Sequence, residues 1–351
     1  MAKINKIDKE IISILLKNKE MKSSGIHLEL QKIGGEYSLV TIKRTLTKMA
    51  DWGAIVVSGS GRGTTYKVSI SGRIFADIDS KEYCAVEPDK RYGLSRYNFE
   101  LLPNFPNDVF DKTDLGKLEN ATEEYKKRTS NLSDTIRKKE LERLIIELSW
   151  KSAKIEGNTY TLLDTEKLIL ENKEAVGHSK EEARMILNHK DAFNYILENS
   201  KQFKTLTKKN MEDLHSILVK DLSVEFGLRK KPVGVLGSVY MPLDNVHQIS
   251  DAVEELAKTT GKAKTPYGKA MVALLGISYI QPFEDGNKRT ARLMANAILL
   301  AYGCAPLSYR SVEENDYREA ILVFYELNSI VPFKKIFVGQ YEFAAKNYAV
   351  K

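Results

Sequence analysis

The chain has 351 residues, a net charge of +7 and only two cysteines, Cys84 and Cys304. This length allows two domains with a sizeable core, and two distant thiols exclude a disulfide framework and a cysteine-rich metal site. The longest apolar run, about ten residues around Leu274, is too short to span a bilayer, and the N-terminus lacks a signal-type apolar region. We therefore expect a soluble, cytoplasmic protein without a membrane partner.

Residues 1–75 have the pattern of a small winged helix-turn-helix domain. Periodic apolar residues predict three helices, over residues 8–18, 24–33 and 38–52. Ser38 is the expected cap of the third helix. Two β-rich runs flank a glycine-rich turn, which predicts a hairpin over residues 54–70. Three helices followed by a hairpin are typical of a winged helix.

The positive charge is concentrated in this first domain. Residues 1–70 hold 12 Lys/Arg against 6 Asp/Glu. In a winged helix the third helix enters the major groove and the wing reaches the phosphates or the minor groove. The residues expected to contact DNA are Lys43, Arg44, Lys48 and, at the tip of the wing, Arg62. A basic face that is merely solvated and a winged helix that docks a protein are the open alternatives.

The rest of the chain reads as a connector followed by a mainly helical domain. Residues 76–110 lose clear periodicity and carry Pro103 and Pro106, which indicates the connector. Helices are expected over residues 119–131, 134–157, 163–172, 180–199, 208–222, 249–259, 266–280, 287–303, 313–327 and 333–347. Within this second domain, 111–351, the exception is 232–243, where β-branched residues around Gly237 and Ser238 predict a short β-hairpin. The expected fold class is thus mainly α, with one small hairpin, preceded by the winged helix.

The turn 281–286 carries an unusual density of polar residues and precedes a helix N-terminus. Unpaired N–H groups and the positive end of the helix dipole favour an anion there. Lys288, Arg289 and Arg292 add three cations in the first turns of the helix, a pattern that favours a polyphosphate. Asp285, a carboxylate among these cations, is the natural ligand for Mg²⁺. An ordinary capped helix with a solvated basic face is the alternative.

The whole string resembles the signature of the Fic family, His-x-Phe-x-Asp/Glu-Gly-Asn-Gly/Lys-Arg-x-x-Arg. The matching residues are Phe283, Asp285, Gly286, Asn287, Lys288, Arg289 and Arg292. The resemblance covers residues 110 to 351 and is strongest from 208 to 307. It implies transfer of AMP from ATP to a Ser, Thr or Tyr hydroxyl of a target protein, with ATP and Mg²⁺ as cofactors. The oligomeric state is left open, a homodimer among the options.

The resemblance also implies roles for individual residues. Asp285 would hold Mg²⁺, while Gly286, Asn287 and Lys288 would form the anion hole. Arg289 and Arg292 would bind the outer phosphates of ATP, so Asn287 and Arg289 count among the catalytic groups. A flap formed by Gly237, Ser238 and Val239 would align the target's backbone by strand addition.

One departure from the family pattern affects the chemistry. The family places its general base, a His, where this chain has Gln281, and an amide has no titratable nitrogen. Losing a general base costs on the order of 10²–10⁴ in rate, which indicates low or no activity in this form. A natural pseudoenzyme, a transferase with another chemistry and a chain mutated to silence the protein all stay open. The rival function is a DNA-binding transcriptional regulator whose Fic domain senses nucleotide.

A second departure concerns the group transferred. Lys288 stands where the family usually has Gly. The same Lys occurs in Doc-type toxins, which transfer a phosphoryl group by binding ATP in the reverse orientation. Those toxins are short, usually have Ala before the Asn and lack the flap. Gly286 and the flap residues therefore favour AMP transfer.

The helix that ends near Gly157 carries a candidate inhibitory group. Ser152 and Glu156 extend its buried stripe, and a carboxylate on a packing face needs a cationic partner. The run resembles the family's inhibitory motif, Ser/Thr-x-x-x-Glu-Gly/Asn. By that resemblance Glu156 pairs with Arg292 and takes the place of the γ-phosphate of ATP. A frayed helix end with Glu156 in water is the alternative.

Overall fold

A computed structural model describes residues 5–348, and this part of the chain is mainly helical, as predicted. The helices are α1 (Lys6–Asn18), α2 (Ser23–Lys32), α3 (Leu39–Asp51), α4 (Ile70–Ile74), α5 (Ser80–Cys84), α6 (Lys112–Ser130), α7 (Asp134–Ile155), α8 (Leu162–Glu171), α9 (Lys180–Glu198), α10 (Lys208–Leu218), α11 (Val246–Lys262), α12 (Pro266–Ile280), α13 (Asn287–Ala301), α14 (Glu314–Leu327) and α15 (Val331–Asn347). The strands are β1 (Glu20–Met21), β2 (Ile55–Ser58) and β3 (Thr65–Val68). Across residues 5–348, each helix is too short or too polar to cross a membrane.

The chain divides into two compact units. The first unit comprises the described residues up to 106 together with 235–241 and 319–333. The second unit comprises residues 107–234 and 242–318 together with the described residues from 334 onward. The turn 281–286 belongs to the second unit.

The first unit contains the predicted three helices and hairpin. Strands β2 and β3 pair antiparallel from Ile55 opposite Val68 to Ser58 opposite Thr65, and β1 adds a third strand on the other side of β3. The Ser38 hydroxyl caps α3 by accepting the N–H of Thr41. The apolar face of α3 is fully buried, which leaves its basic face outward. The winged-helix interpretation and its contacts with DNA stay predictions.

The predicted connector, residues 76–110, contains packed residues. Ala76, Ile78 and Tyr83 belong to the same hydrophobic core as α1, α2 and α3. The short helix α5 lies within this stretch and is capped by the side chain of Asp79, and α4, just before it, is capped by Ser69. The compact unit therefore continues well past residue 75, because irregularly spaced apolar residues can enter a core without helical or strand periodicity.

The hairpin predicted over residues 232–243 is not formed. This segment has a turn and a single isolated bridge, in which the N–H of Met241 donates to the carbonyl of Ser95 at 2.9 Å. Pro232 and Pro242 lack an N–H and cannot donate to a ladder. The one bridge of this segment pairs Met241 with Arg96, elsewhere in the first unit.

In the second unit, two buried helices hold the turn 281–286 between them. Helix α12 is capped by Thr265 and is buried along its entire second half. It ends at Gln281, which has a left-handed conformation with φ 51°. Helix α13 starts after Gly286, also left-handed with φ 79°. Because both ends of the turn are fixed by buried helices, its backbone has little freedom.

The close packing of α4 generates a stability prediction for the first unit. A Cβ on Gly72 would lie 2.0 Å from the backbone oxygen of Ala54, so Gly72→Ala should lower the free energy of unfolding by about 1–3 kcal/mol. Gly63→Ala is the control, since a Cβ there meets nothing within 4 Å. Urea unfolding followed by Trp52 fluorescence in a Trp150→Phe background measures both. Equal stability of the two variants would contradict the packing.

Candidate active site

Reciprocal hydrogen bonds close the turn on the first residue of α13. The N–H of Phe283 donates to Asn287 Oδ1 at 2.8 Å, and Asn287 Nδ2 donates to the carbonyl of Phe283 at 2.8 Å. The ring of Phe283 is fully buried and anchors the turn to the core. The Asn287 side chain is therefore used to shape the turn, and its backbone N–H is what it can offer to an anion.

His215 on α10 supports the same turn from behind. Its ring stacks on Phe283 with centroids 3.7 Å apart and planes 7° apart, and Nε2 donates to the carbonyl of Asp285 at 3.0 Å. Burial lowers the pKa of His215 to about 4, although the hydrogen bond to Asp285 opposes this shift. His215 is thus neutral at pH 7 and supports the turn structurally.

Gln281 lies at the end of α12 and is buried. Its side-chain Nε2 donates to the carbonyl of Ser278 at 2.6 Å, and its backbone N–H donates to Ile277. The side-chain amide of Gln281 thus donates a hydrogen bond within its own helix. It supplies no titratable base.

Arg229, which no sequence pattern singled out, binds the backbone at both ends of the 232–243 segment. This buried guanidinium donates from Nε to the carbonyl of Gln281 at 2.6 Å. It also donates to the carbonyl of Lys231 at 2.9 Å and to that of Leu243. In the sequence it is one cation among Lys230 and Lys231, and no local pattern distinguishes a buried arginine from exposed lysines.

The three cations of α13 each face a carboxylate in the second unit. Arg292 is fully buried, and its Nη1 lies 2.8 Å from Glu156 Oε1. Lys288 Nζ lies 3.5 Å from Glu156 Oε2, and Arg289 Nη2 lies 3.0 Å from Asp285 Oδ2. Two carboxylates thus face three cations, so the cluster has an excess positive charge.

Helix α7 presents Glu156 and Ser152 to Arg292. The Ser152 hydroxyl and carbonyl both accept hydrogen bonds from Arg292, each at 2.9 Å. The Arg318 Nε donates to the carbonyl of Ile155 at 2.9 Å and so holds the end of the helix. Glu156 is the residue that ends α7, with its side chain 19 % exposed. The predicted alternative of a frayed end with Glu156 in water is therefore wrong.

Electrostatics keep this pair ionised. Burial alone would raise the pKa of Glu156, but the charges of Arg292 and Lys288 outweigh it and hold the pKa below its usual value. Burial would lower the pKa of Arg292, whereas the Glu156 carboxylate raises it above its usual value. A buried ion pair of this kind is costly to break from one side, because the remaining charge is left without a partner.

The Arg289 guanidinium is buried and has a donor group to which an anion could bind. Its side chain is 3 % exposed, and its Asp285 partner is 66 % exposed. Burial lowers the pKa of Arg289, with Asp285 opposing the shift. Among residues 5–348, no hydrogen-bond partner faces its buried Nη1. A buried donor without an acceptor costs free energy that a bound anion would recover.

The carboxylate available to a metal ion at this site is Asp285. In the described part of the chain, no group of three or more His, Cys, Asp or Glu side chains is arranged to hold a metal. A single carboxylate fits Mg²⁺ that takes its other ligands from phosphate and water. The donor set therefore suits a metal that arrives with a nucleotide.

The predicted site residues fall into separate sets. The structure brings together, in the second unit, Ser152, Glu156, Gln281, Asp285, Gly286, Asn287, Lys288, Arg289 and Arg292. The flap residues Gly237, Ser238 and Val239 belong to the first unit. The predicted DNA contacts, Lys43, Arg44, Lys48 and Arg62, are exposed on the first unit.

Residues 205–299 match the Fic/DOC family. The chain is 33 % identical over 178 residues to the protein adenylyltransferase Fic of Nematostella vectensis, covering 48 % of this chain and 41 % of that one. It is 32 % identical over 172 residues to the protein of the same name from Drosophila yakuba, covering 48 % and 34 %. The chain spans less than half the length of these relatives. It contains a Fic/DOC domain.

Solved structures show the same fold. A Fic family protein from Desulfovibrio desulfuricans superposes with a TM-score of 0.57 and 20 % identity, over 69 % of this chain and 75 % of that chain. A Fic domain-containing signaling protein from Bacteroides thetaiotaomicron gives a TM-score of 0.54 and 20 % identity, over 66 % and 94 %. The all-helical Fic fold predicted from the signature is therefore confirmed.

The neutral state of His215 generates a pH prediction. Since its folded pKa lies below the usual 6.5, the unfolded chain binds more protons between pH 6.5 and 4, and stability is lost as pH falls through this window. In His215→Gln the fall in unfolding free energy from pH 7 to 4.5 should be smaller by about 2–3 kcal/mol.

Urea unfolding at the two pH values, followed by Trp150 fluorescence in a Trp52→Phe background, measures this difference. His247→Gln, at an exposed position, is the control and should keep the original pH dependence. An unchanged pH dependence in His215→Gln would contradict the assigned neutral state.

Proposed function

We propose that the chain has the site of a protein adenylyltransferase, which transfers AMP from ATP to a hydroxyl of a target protein. The observation that carries the proposal is the excess positive charge at the start of α13, where three cations are offset by two carboxylates. The Fic/DOC domain and the names of the relatives support this proposal over a general anion site.

The first turns of α13 would bind the phosphates of ATP. The N–H groups of Gly286, Asn287 and Lys288 lie at the positive end of the helix dipole. Arg289 and Arg292 would take the outer phosphates, exchanging Asp285 and Glu156 for phosphate oxygens. Phosphoryl-type transfer depends mainly on such positioning and charge neutralisation.

Asp285 would be the protein ligand for Mg²⁺. The metal would neutralise charge on the phosphates. The Asp285 side chain is 66 % exposed, so a nucleotide-bound ion could reach it. Asp285 pairs with Arg289 through Oδ2, so a metal ion held by this carboxylate would weaken that pair and leave the buried guanidinium to the phosphates. Metal and nucleotide binding are thus expected to depend on each other.

The target's hydroxyl oxygen would attack the α-phosphorus of ATP as the bond to the pyrophosphate leaving group breaks. The hydroxyl proton must be accepted during this step, and Gln281 cannot accept it. The chain as given should therefore bind ATP with little or no transfer. Gly286 favours AMP as the transferred group, as the sequence comparison with Doc-type toxins indicated, and Lys288 is the residue that argues for a phosphoryl group.

Glu156 would act as a built-in inhibitor. Its carboxylate occupies the Arg292 guanidinium, which a γ-phosphate would otherwise contact. Nucleotide must then compete with an intramolecular anion of high effective concentration. Ser152 would keep Arg292 in place in both states, because its two bonds to the guanidinium do not involve Glu156.

The segment 235–241, termed the flap below, would dock the target. Gly237, Ser238 and Val239 offer backbone groups to an extended chain by strand addition. The target protein would therefore present its hydroxyl from an extended segment.

The alternative is a DNA-binding transcriptional regulator whose Fic domain senses nucleotide. The exposed basic face of α3 favours it, since Lys43, Arg44 and Lys48 all point to solvent while the apolar face of the helix is buried. Lysine and arginine contacts of this kind bind phosphates and give salt-dependent affinity. DNA binding that responds to nucleotide, without any transfer, would favour this reading.

Restoring the base tests the proposed reaction. Gln281→His, alone and combined with Glu156→Gly, is incubated with Mg²⁺ and α-³²P ATP, and label on protein is counted. We expect little or no label on the original chain, label with Gln281→His, and the most with the double variant, a rise on the order of 10²–10⁴. Gln281→Asn, which lacks a base, is the matched control.

ATP binding by each variant is measured in parallel. No label in any variant that binds ATP would contradict the adenylyltransferase proposal and favour the regulator. Transfer of label from γ-³²P ATP but not from α-³²P ATP would mean that a phosphoryl group is transferred instead.

A further inference from the structure

A buried carboxylate in the first unit binds the flap. Glu326 on α14 has its side chain 1 % exposed. It accepts hydrogen bonds from Arg91 Nη2 at 3.0 Å, from the Ser238 hydroxyl at 2.6 Å and from the Tyr83 hydroxyl at 2.7 Å. Ser238 belongs to the flap, so this carboxylate links the flap to the interior of the first unit.

Arg91 holds the flap a second time. Its side chain is 3 % exposed, and the guanidinium that pairs with Glu326 also donates to the carbonyl of Gly237. Gly237 has a φ of 76°, a conformation that glycine adopts readily. The two successive flap residues are therefore fixed by one ion pair, through the backbone of Gly237 and the side chain of Ser238.

The rest of the flap is anchored while its tip is free to contact a partner. Tyr240 is buried and stacks on Tyr325 with centroids 5.5 Å apart, and its N–H donates to the Ser238 hydroxyl at 3.1 Å. Leu236, at the turn, is 98 % exposed. An exposed leucine on a well-anchored turn is suited to contact a partner with little loss of conformational entropy.

The flap has no ladder of its own to fix its shape. Because the predicted hairpin is not formed, its backbone conformation depends on contacts made from outside the flap. The Arg91–Glu326 pair and the bridge from Met241 to Ser95 are such contacts. Buried, charge-assisted bonds are the stronger of these, and losing one partner leaves a buried charge unsatisfied.

We propose that Glu326 is a positioning residue for the target protein: together with Arg91 it holds Gly237 and Ser238 in the conformation on which an extended target segment docks. The proposal rests on the proposed function of the flap. If so, target recognition requires Glu326 and Arg91, two residues that lie outside the Fic signature. Glu326 touches neither nucleotide nor reacting atoms, so its removal should affect target binding and leave ATP binding intact.

Hydrogen exchange tests the anchor without nucleotide or target. Glu326→Gln keeps the shape of the side chain and removes its charge, while Ser238→Ala removes only the flap's hydroxyl. Either variant should speed amide exchange across residues 237–241 by roughly tenfold or more, with exchange in α12 unchanged. Glu87→Gln, an exposed carboxylate of the same unit, is the matched control and should change nothing. Unchanged exchange in both test variants would overturn the proposal.

Transfer kinetics test the consequence for the target. In the Gln281→His, Glu156→Gly background, a tagged copy of the chain carrying Asp285→Ala is titrated as acceptor of label from α-³²P ATP. Ser238→Ala and Glu326→Gln should raise the KM for this acceptor severalfold, with kcat and the Kd for ATP within about twofold. Equal losses in kcat, or a weakened ATP Kd, would mean a structural role only and would overturn the proposal.

The two readouts separate the proposals. Absence of label in the background itself would contradict the proposed function, and the positioning role would fall with it. Faster exchange would then show only that Glu326 anchors the flap. Should Glu326→Gln not fold, Ser238→Ala decides both measurements, because it leaves the Arg91–Glu326 pair intact.

Discussion

The ion pair between Arg292 and Glu156 is the interaction on which the rest of the site depends. A fully buried guanidinium cannot be left without an anion, so the core of the second unit requires a carboxylate or a phosphate next to Arg292. The fold supplies the carboxylate from the end of α7. The same requirement underlies the proposed nucleotide site, since a phosphate could replace the carboxylate without leaving the guanidinium unpaired.

The other contacts around this pair fall into two groups, neutral contacts that fix the turn and cations that lie in front of it. Phe283, Asn287 and His215 fix the turn without presenting charge, while Arg289 and Lys288 add to the positive potential in front of it. Rigid neutral support behind the turn and positive charge in front are what a preorganised anion site needs. The Gln281 side chain takes part in none of the contacts just named, so nucleotide binding and the proposed chemistry can be affected separately.

Much of the fold was predictable from the sequence. Ser38 located the start of α3, because a capping side chain acts on the backbone within one turn. The hairpin predicted at residues 232–243 was wrong, since the bridge that forms there pairs Met241 with Arg96, which lies far away in the chain. The core position of Tyr83 could not be predicted either. Tertiary contacts determine it, and the sequence around it has no helical or strand periodicity.

In the candidate site, too, positions set by spacing along one helix could be predicted, whereas contacts between distant residues could not. Spacing along α13 placed Arg289 and Arg292 together, and the stripe on α7 placed Glu156 on a packing face. Arg229, Arg318 and Glu326 were not recognised, because a buried charge that bonds to distant carbonyls or hydroxyls leaves no local pattern.

Calorimetric titration of Mg·ATP into three chains, the original, Glu156→Gln and Glu156→Gly, tests the central claim that Glu156 and nucleotide compete for Arg292. We expect the Kd for ATP to fall at least roughly tenfold in Glu156→Gly, with Glu156→Gln between the two, because the Gln amide keeps the size of the side chain but not its charge. Equal affinity in all three chains would contradict the competition.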